Sequence, residues 1–286
     1  MQEFDINDRK KLYNPPKNSH KGQNGKLLII GGSELFHSAS LWALKVASRI
    51  VDMVFYSSIP QNNEIVLRAK EEFRDGIVVP RGKIEDYINE ADCILIGPGL
   101  PRKVGQEVGD DDTKELTEKL IKKYQGKKWV IDGGSLQVLS PEILMLLREP
   151  ILTPHIKEFE LLKLKIKNEK LKMTIQNLKL EKQVKLFAKE FKCVILLKGQ
   201  IDIICSSKKC IKVPGGNAGM TKGGTGDVLA GLVASLYCKN DAFLAACAGS
   251  YINKKAGESL FKKVGYFFNA SDLADAIPQV MKKLLA

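Results

Sequence analysis

Several familiar signatures are missing from this chain of 286 residues. No Gly-x-x-x-x-Gly-Lys-Ser/Thr segment occurs, which excludes a P-loop nucleoside triphosphatase, and no complete Gly-x-Gly-x-x-Gly opens a helix after the first strand, so a Rossmann dinucleotide fingerprint is unsupported. The three histidines, His20, His37 and His155, are far apart, and the six cysteines form no Cys-x-x-Cys pair, so metal-ligand spacing is absent. No apolar run approaches the length of a membrane span. The N-terminus, Met-Gln-Glu-Phe-Asp-Ile-Asn-Asp, is acidic and lacks a signal peptide's hydrophobic segment. Cysteines inside apolar runs, such as Cys93-Ile-Leu-Ile and Cys193-Val-Ile-Leu-Leu, read as small buried hydrophobes. With the missing leader, they point to a reducing cytoplasm.

What remains is a globular composition: 44% hydrophobic residues, with a mean hydropathy of −0.13. The formal charge of +12 admits nucleic acid or an anionic small substrate. Many lysines crowd between Lys157 and Lys192, mixed with Leu, Ile and Glu as on the wet side of amphipathic helices. No regular aromatic interleaving marks a platform for stacking bases, so the charge reads as solvated surface rather than a nucleic-acid site.

Residues 1–24 are polar and interrupted by Pro15-Pro16, which reads as a lead-in arm. From Lys26 onward, short runs that are apolar throughout alternate with helical spacing. Strands are expected at Lys26–Ile30, Val51–Tyr56, Ile77–Val79, Cys93–Ile96, Trp129–Asp132, Ile151–Thr153 and Cys193–Leu197. Helices are expected at 38–51, 84–89, 110–124, 178–191, 227–237, 242–255 and 271–285, and a hairpin at 201–213. Strands apolar on both faces argue for a mostly parallel sheet between two helical layers, an α/β fold. No Pro/Gly/Ser-rich linker or repeat divides residues 25–286, so a single domain is expected.

In such sheets ligands sit beyond the C-terminal ends of the strands. The punctuating motifs fall there: Gly31-Gly32-Ser33, Gly97-Pro98-Gly99, Thr153-Pro154-His155, Lys198-Gly199, and the segment Gly215–Gly231. The last begins as a glycine-rich loop and becomes a helix whose apolar face starts after Asp227, at Val228, Leu229, Leu232, Val233 and Leu236. Amides of Gly223, Gly224, Thr225 and Gly226 at a helix start suit phosphate or a developing anion. A carboxylate placed there is poorly explained as a cap alone, because like charges repel. It makes sense as a base taking the proton of a hydroxyl that attacks phosphorus. The competing reading is a helix cap behind a flexible loop. His155 and Lys198 each have a competing reading too, as a structural histidine and a solvated lysine.

Together with His20-Lys21-Gly22 and Gly25, these motifs resemble the NAD(P)H-hydrate dehydratases, the C-terminal domain type of the YjeF proteins, in order and over nearly the whole chain. The resemblance implies a ribokinase-like three-layer α/β/α sandwich with a mostly parallel sheet. It implies repair of hydrated NADH and NADPH at the expense of ADP, accompanied by Mg²⁺. It carries substrate positions onto Ala39, Gly99, His155 and Asp227, and nucleotide positions onto Lys198, Gly199, Gln200, Ile201, Asp202 and Gly226. A separate NAD(P)H-hydrate epimerase is the implied pathway partner, since only a short arm precedes Gly25, and the family tends toward homo-oligomers. A kinase acting on a vitamin or sugar hydroxyl would share the Gly-Thr-Gly-Asp loop, and a nucleotide-binding regulator without catalysis is the third reading. The chain departs from the family pattern at His37-Ser38, at Lys157, and at Asp202, an acid where a small polar residue is common. An acid there repels nucleotide phosphate unless a cation intervenes.

Overall fold

The computed structural model describes residues 2–102 and 106–285. Ten strands form one sheet: β1 (Gln2–Glu3), β2 (Lys26–Ile30), β3 (Met53–Ser57), β4 (Ile77–Val78), β5 (Cys93–Ile96), β6 (Lys128–Ile131), β7 (Ile151–Leu152), β8 (Val194–Leu197), β9 (Asp202–Cys205) and β10 (Cys210–Val213). Their order is β1-β10-β9-β8-β7-β6-β5-β2-β3-β4, parallel except where β9 runs against β8 and β10. The expected hairpin is therefore present. The polar arm is not merely a lead-in, because Gln2 and Glu3 pair with Ile211 and Lys212 at the sheet edge.

Alternation along each strand explains the two layers. Leu27 and Ile29 enter one core and Leu28 and Ile30 the other, with all four fully buried. The helices are α1 (His37–Ala47), α2 (Pro60–Ala69), α3 (Ile84–Glu90), α4 (Thr113–Lys123), α5 (Gly133–Val138), α6 (Ile156–Leu164), α7 (Glu169–Gln176), α8 (Leu180–Glu190), α9 (Thr225–Lys239), α10 (Ala242–Val264) and α11 (Ala270–Leu285). α1, α9, α10 and α11 cover the first face, while α3, α4, α6 and α8 cover the second. Hydrophobic periodicity does not announce α2, α5, α6 or α7. Two of them start at residues that fix a helix N-terminus, Pro60 and His155.

One expectation about cysteine is corrected. Cys205 and Cys210 stand opposite each other in the β9–β10 hairpin and form a disulfide, while Cys93, Cys193, Cys238 and Cys247 are buried thiols. A hairpin brings together cysteines whose spacing is not Cys-x-x-Cys, so the spacing gave no sign of the pair. Among the described residues, no helix is long and apolar enough to cross a membrane.

β2 lies between β3 and β5, and chain direction across the sheet reverses there. That switch point opens a crevice at the strands' C-terminal ends, where Gly31-Gly32 and Gly97-Pro98-Gly99 lie. His20-Lys21-Gly22 lies instead at the opposite end of β2. It is tied down by the Asp52 carboxylate, which accepts the amides of Gly22 at 2.8 Å and Asn24 at 3.0 Å. This motif fixes the entry to the sheet and contributes nothing to the crevice.

Candidate active site

α9 begins two residues earlier than the expected start at 227, at Thr225, so Asp227 lies inside the first turn. Gly224 precedes it in the left-handed conformation (φ 91°), and a Cβ there would lie 2.3 Å from the Trp42 ring. Only glycine satisfies both constraints. The first turn has no side-chain cap, and the amides of Gly223, Gly224, Gly226 and Asp227 bond to no backbone carbonyl among the described residues. Thr225 differs from this set. Its amide approaches the Lys222 carbonyl at 3.4 Å, and its hydroxyl donates to the carbonyls of Met220 at 2.6 Å and Lys222 at 2.8 Å. Thr225 therefore builds the loop, while its glycine neighbours present the amides.

Facing this turn is Lys198, at the end of β8. A Cβ on Gly226 would lie 3.4 Å from the Lys198 Nζ, so the ammonium stands over the start of α9. Nζ is held 3.0 Å from Asp132 Oδ1, and the same oxygen accepts the Thr153 hydroxyl at 2.8 Å. Burial would discharge the lysine, but the charges of Asp132, Glu158 and Asp227 outweigh it and hold its pKa above the ordinary value. The Asp227 carboxylate sits in a recess, although part of the residue remains accessible. Burial foremost, then the negative charge of Asp132, pushes its pKa up to about 7, against the opposing pull of Lys198. Sequence patterning shows no role for Asp132, a strand-end aspartate before Gly133-Gly134. Its pairing with Lys198, 66 positions away, supplies one.

His155 and Lys198 are bridged as neighbours across the ends of β7 and β8. His155 caps α6: its Nδ1 accepts the Glu158 amide at 3.2 Å, and its own amide donates to Glu158 Oε2 at 3.0 Å. With Nδ1 an acceptor, a neutral ring would carry its proton on Nε2, which lies 3.6 Å from Glu158 Oε2, and the side chain is half exposed. Lys157, the departure from the family pattern, is exposed on the first turn of α6.

A cavity of about 820 Å³ opens beside Lys198, bordered by His155, Gly199, Gln200, Asp202, the 215–222 loop, Gly226 and the α10 residues Asn253 and Lys254. Five of the six expected nucleotide positions therefore share one cavity. Ile201 is outside its lining and half exposed. Asp202 is buried and its oxygens point into the protein, accepting the Gly199 amide at 2.8 Å and the Ser250 hydroxyl at 2.7 Å. Lys254, also buried, lies 3.3 Å from it and donates to the carbonyls of Gly199, Gln200 and Gly215. The cation that an acid at this position requires is thus Lys254. Hydrophobic patterning hides it on the buried face of a helix that also carries exposed lysines.

Ala39, Gly99 and Asp227 are outside that cavity. Gly99 has φ 71°, and a Cβ on it would lie 2.3 Å from the Phe36 carbonyl and 3.1 Å from the Ala39 Cβ. Ala39 and Gly99 thus meet at the start of α1. α1 packs along α9, the helix that carries Asp227. The arrangement has a cavity beside Lys198, a close backbone approach at Gly99 and Ala39, and a carboxylate, Asp227, under the charge of Lys198 at the start of α9.

A mostly parallel sheet between helical layers, with a crevice at its switch point, defines a fold class, and solved structures share that fold. The chain superposes on a ribokinase-like superfamily protein from Enterococcus faecalis with a TM-score of 0.81 and 22% identity, covering 99% of this chain and 96% of that one. It superposes on the ADP/ATP-dependent NAD(P)H-hydrate dehydratase of Bacillus subtilis, co-crystallized with ATP/Mg²⁺, with a TM-score of 0.77, 22% identity and coverage of 99% and 98%. The fold is ribokinase-like. A family model described as NAD(P)H-hydrate dehydratase matches residues 27–279, and the chain belongs to that family. It is 36% identical over 286 aligned residues to the bifunctional NAD(P)H-hydrate repair enzyme Nnr of Methanocaldococcus jannaschii, covering 96% of this chain and 52% of that protein. It is 32% identical to the ADP-dependent (S)-NAD(P)H-hydrate dehydratase of Nitrosopumilus maritimus, covering 92% and 91%. The chain spans about half the length of the bifunctional relatives it matches.

Proposed function

We propose that residues 25–286 act as one domain that restores NADH and NADPH from their hydrates at the expense of ADP. One observation carries this reading: Asp227, ionising at about 7, stands at the start of α9 with the Gly226 amide, which bonds to no backbone carbonyl, and under the charge of the Lys198 ammonium. A base whose pKa matches neutral pH is suited to taking a hydroxyl proton. The hydrate's ring hydroxyl loses its proton to Asp227 as its oxygen bonds to the β-phosphorus of ADP, and AMP departs. The carbon–oxygen bond to the new phosphate then breaks as the neighbouring ring carbon gives up a proton. The products are the dihydropyridine, AMP and inorganic phosphate. Lys198 and the glycine amides stabilise charge on the transferred phosphoryl oxygens. His155 Nε2, Ala39 and Gly99 are assigned to the hydrate, and Lys198 through Asp202 with Gly226 to the nucleotide. Within this assignment Asp202 shapes the nucleotide turn rather than touching phosphate.

The donor set suits Mg²⁺ arriving on the nucleotide. Asp132 and Glu158, the carboxylates whose charge reaches Lys198, would meet the hydration shell of an ion held mainly by phosphates. The ion would neutralise phosphate charge. Family membership, together with the names of the bifunctional relatives, supports a partner epimerase activity and a role in metabolite repair. The test is the return of reduced-nicotinamide absorbance when the purified chain meets the hydrate with ADP, with ATP or with neither. Recovery with ADP supports the reading. Absence of recovery with either nucleotide, from folded protein, overturns it and favours a kinase of another small hydroxyl compound.

A further inference from the structure

Two side chains of α10 line the cavity of about 820 Å³, and they differ in what they have left to give. Lys254 is spent on three carbonyls and Asp202. Asn253 is 5% exposed, yet its side-chain amide makes no hydrogen bond to any described residue, and its Oδ1 is enclosed without a partner. A primary amide carries two donors and an acceptor, and holding them unmatched in a buried place is unfavourable unless a ligand completes them. The neighbouring polar groups offer no completion. Ser250 is committed to Asp202, Glu258 Oε1 to the Gly216 amide, and Asn217 to the Gly257 carbonyl and the Gly219 amide. Met220 and Leu229 supply apolar surface in the same cavity, as a flat heterocycle requires.

We propose that Asn253 reads the base of the nucleotide and selects adenine. This deepens the nucleotide assignment above and rests on it. An amide pairs with adenine through two bonds, its oxygen accepting the exocyclic amino group and its nitrogen donating to the adjacent ring nitrogen. Guanine and hypoxanthine present a carbonyl where adenine has the amino group, so the amide oxygen meets an acceptor and that bond is lost. Lys254, one residue on, fixes the Gly199–Gln200 and Gly215 segments around this position, so a single stretch of α10 both shapes the cavity and reads its occupant.

Calorimetric titration of the intact chain with ADP, GDP and IDP tests the assignment, alongside Asn253→Ala and the isosteric Asn253→Asp. The wild type binds ADP about tenfold or more tighter than GDP or IDP. Asn253→Ala brings the three affinities together while its thermal midpoint reports an intact fold. Asn253→Asp loses ADP affinity because a carboxylate cannot donate to the ring nitrogen, and it serves the same purpose if the alanine variant does not fold. Wild-type binding of ADP with no preference, or a preference kept in both variants, overturns the proposal and leaves the nucleotide assignment standing. Failure of the wild type to bind any of the three overturns both.

Discussion

The wall of the crevice carried by β8, β9 and α10 is held by buried charge, whereas the wall carried by β2, β5 and α1 is held by backbone in contact with backbone. On the first, Lys254 neutralises Asp202 and gathers three carbonyls, and Lys198 is clamped by Asp132. On the second, the Gly32 amide donates to the Pro98 carbonyl at 2.8 Å, and Gly99 lies where a Cβ would strike the Phe36 carbonyl. The difference suits the ligands proposed for each wall. Phosphates need charge whose desolvation is already met by the fold. A ring that must be placed within reach of one carboxylate needs shape, which closely apposed backbone provides with little freedom to yield.

Changing each wall in turn should therefore fail differently. The largest effect is expected for Lys198→Met, which removes the cation over α9 and lowers turnover by about 10²–10³. Because Lys198 is what pulls the Asp227 ionisation down, the acid limb of the pH–rate profile moves to higher pH. A limb that stays put would break the link between the two residues. Lys254→Met leaves Asp202 buried without its cation and orphans three carbonyls. A loss of about 3–5 kcal/mol in urea unfolding, with nucleotide affinity falling alongside, is the expected result. The counterpart on the other wall, Gly99→Ala, costs about 1–3 kcal/mol. It raises KM for the hydrate while leaving ADP affinity unchanged; a loss of ADP binding instead would contradict the division of the crevice.

Smaller effects come from charge placement. Asp227 has a folded pKa of about 7, raised from 3.8, so between these values the folded state holds more protons than the unfolded chain. Stability then falls as pH rises from about 4 to about 7. Asp227→Asn should raise the thermal midpoint above neutrality, and the gain should vanish near pH 4. Asp132→Asn removes a charge that raises Asp227, so the acid limb moves modestly to lower pH, in the opposite direction to Lys198→Met.

The two walls also differed in how far they could be read in advance. Strands such as Leu27–Ile30 are apolar on both faces because both faces are covered, so their run length identifies them without knowledge of the fold. The glycine turns are legible for a related reason: a chain that needs φ near 71° or 91° at Gly99 and Gly224 has one residue to use. The charged wall is a set of long-range pairings. Asp202 with Lys254 and Asp132 with Lys198 join residues that local spacing cannot connect, and Asn253 shows its spare hydrogen bonds only once its surroundings are known. A lysine and an asparagine breaking the apolar face of α10 were the available signal. The opening His20-Lys21-Gly22 motif left its place open, since its order in the chain says nothing of which sheet end it occupies.

The central claim is that Asp227 is the base that takes the hydroxyl proton. It is tested most directly by Asp227→Asn, with ADP affinity measured by calorimetry and recovery of reduced-nicotinamide absorbance followed from the hydrate. The account predicts ADP affinity close to that of the wild type and turnover reduced by about 10² or more. Turnover near the wild-type rate in that variant would contradict it.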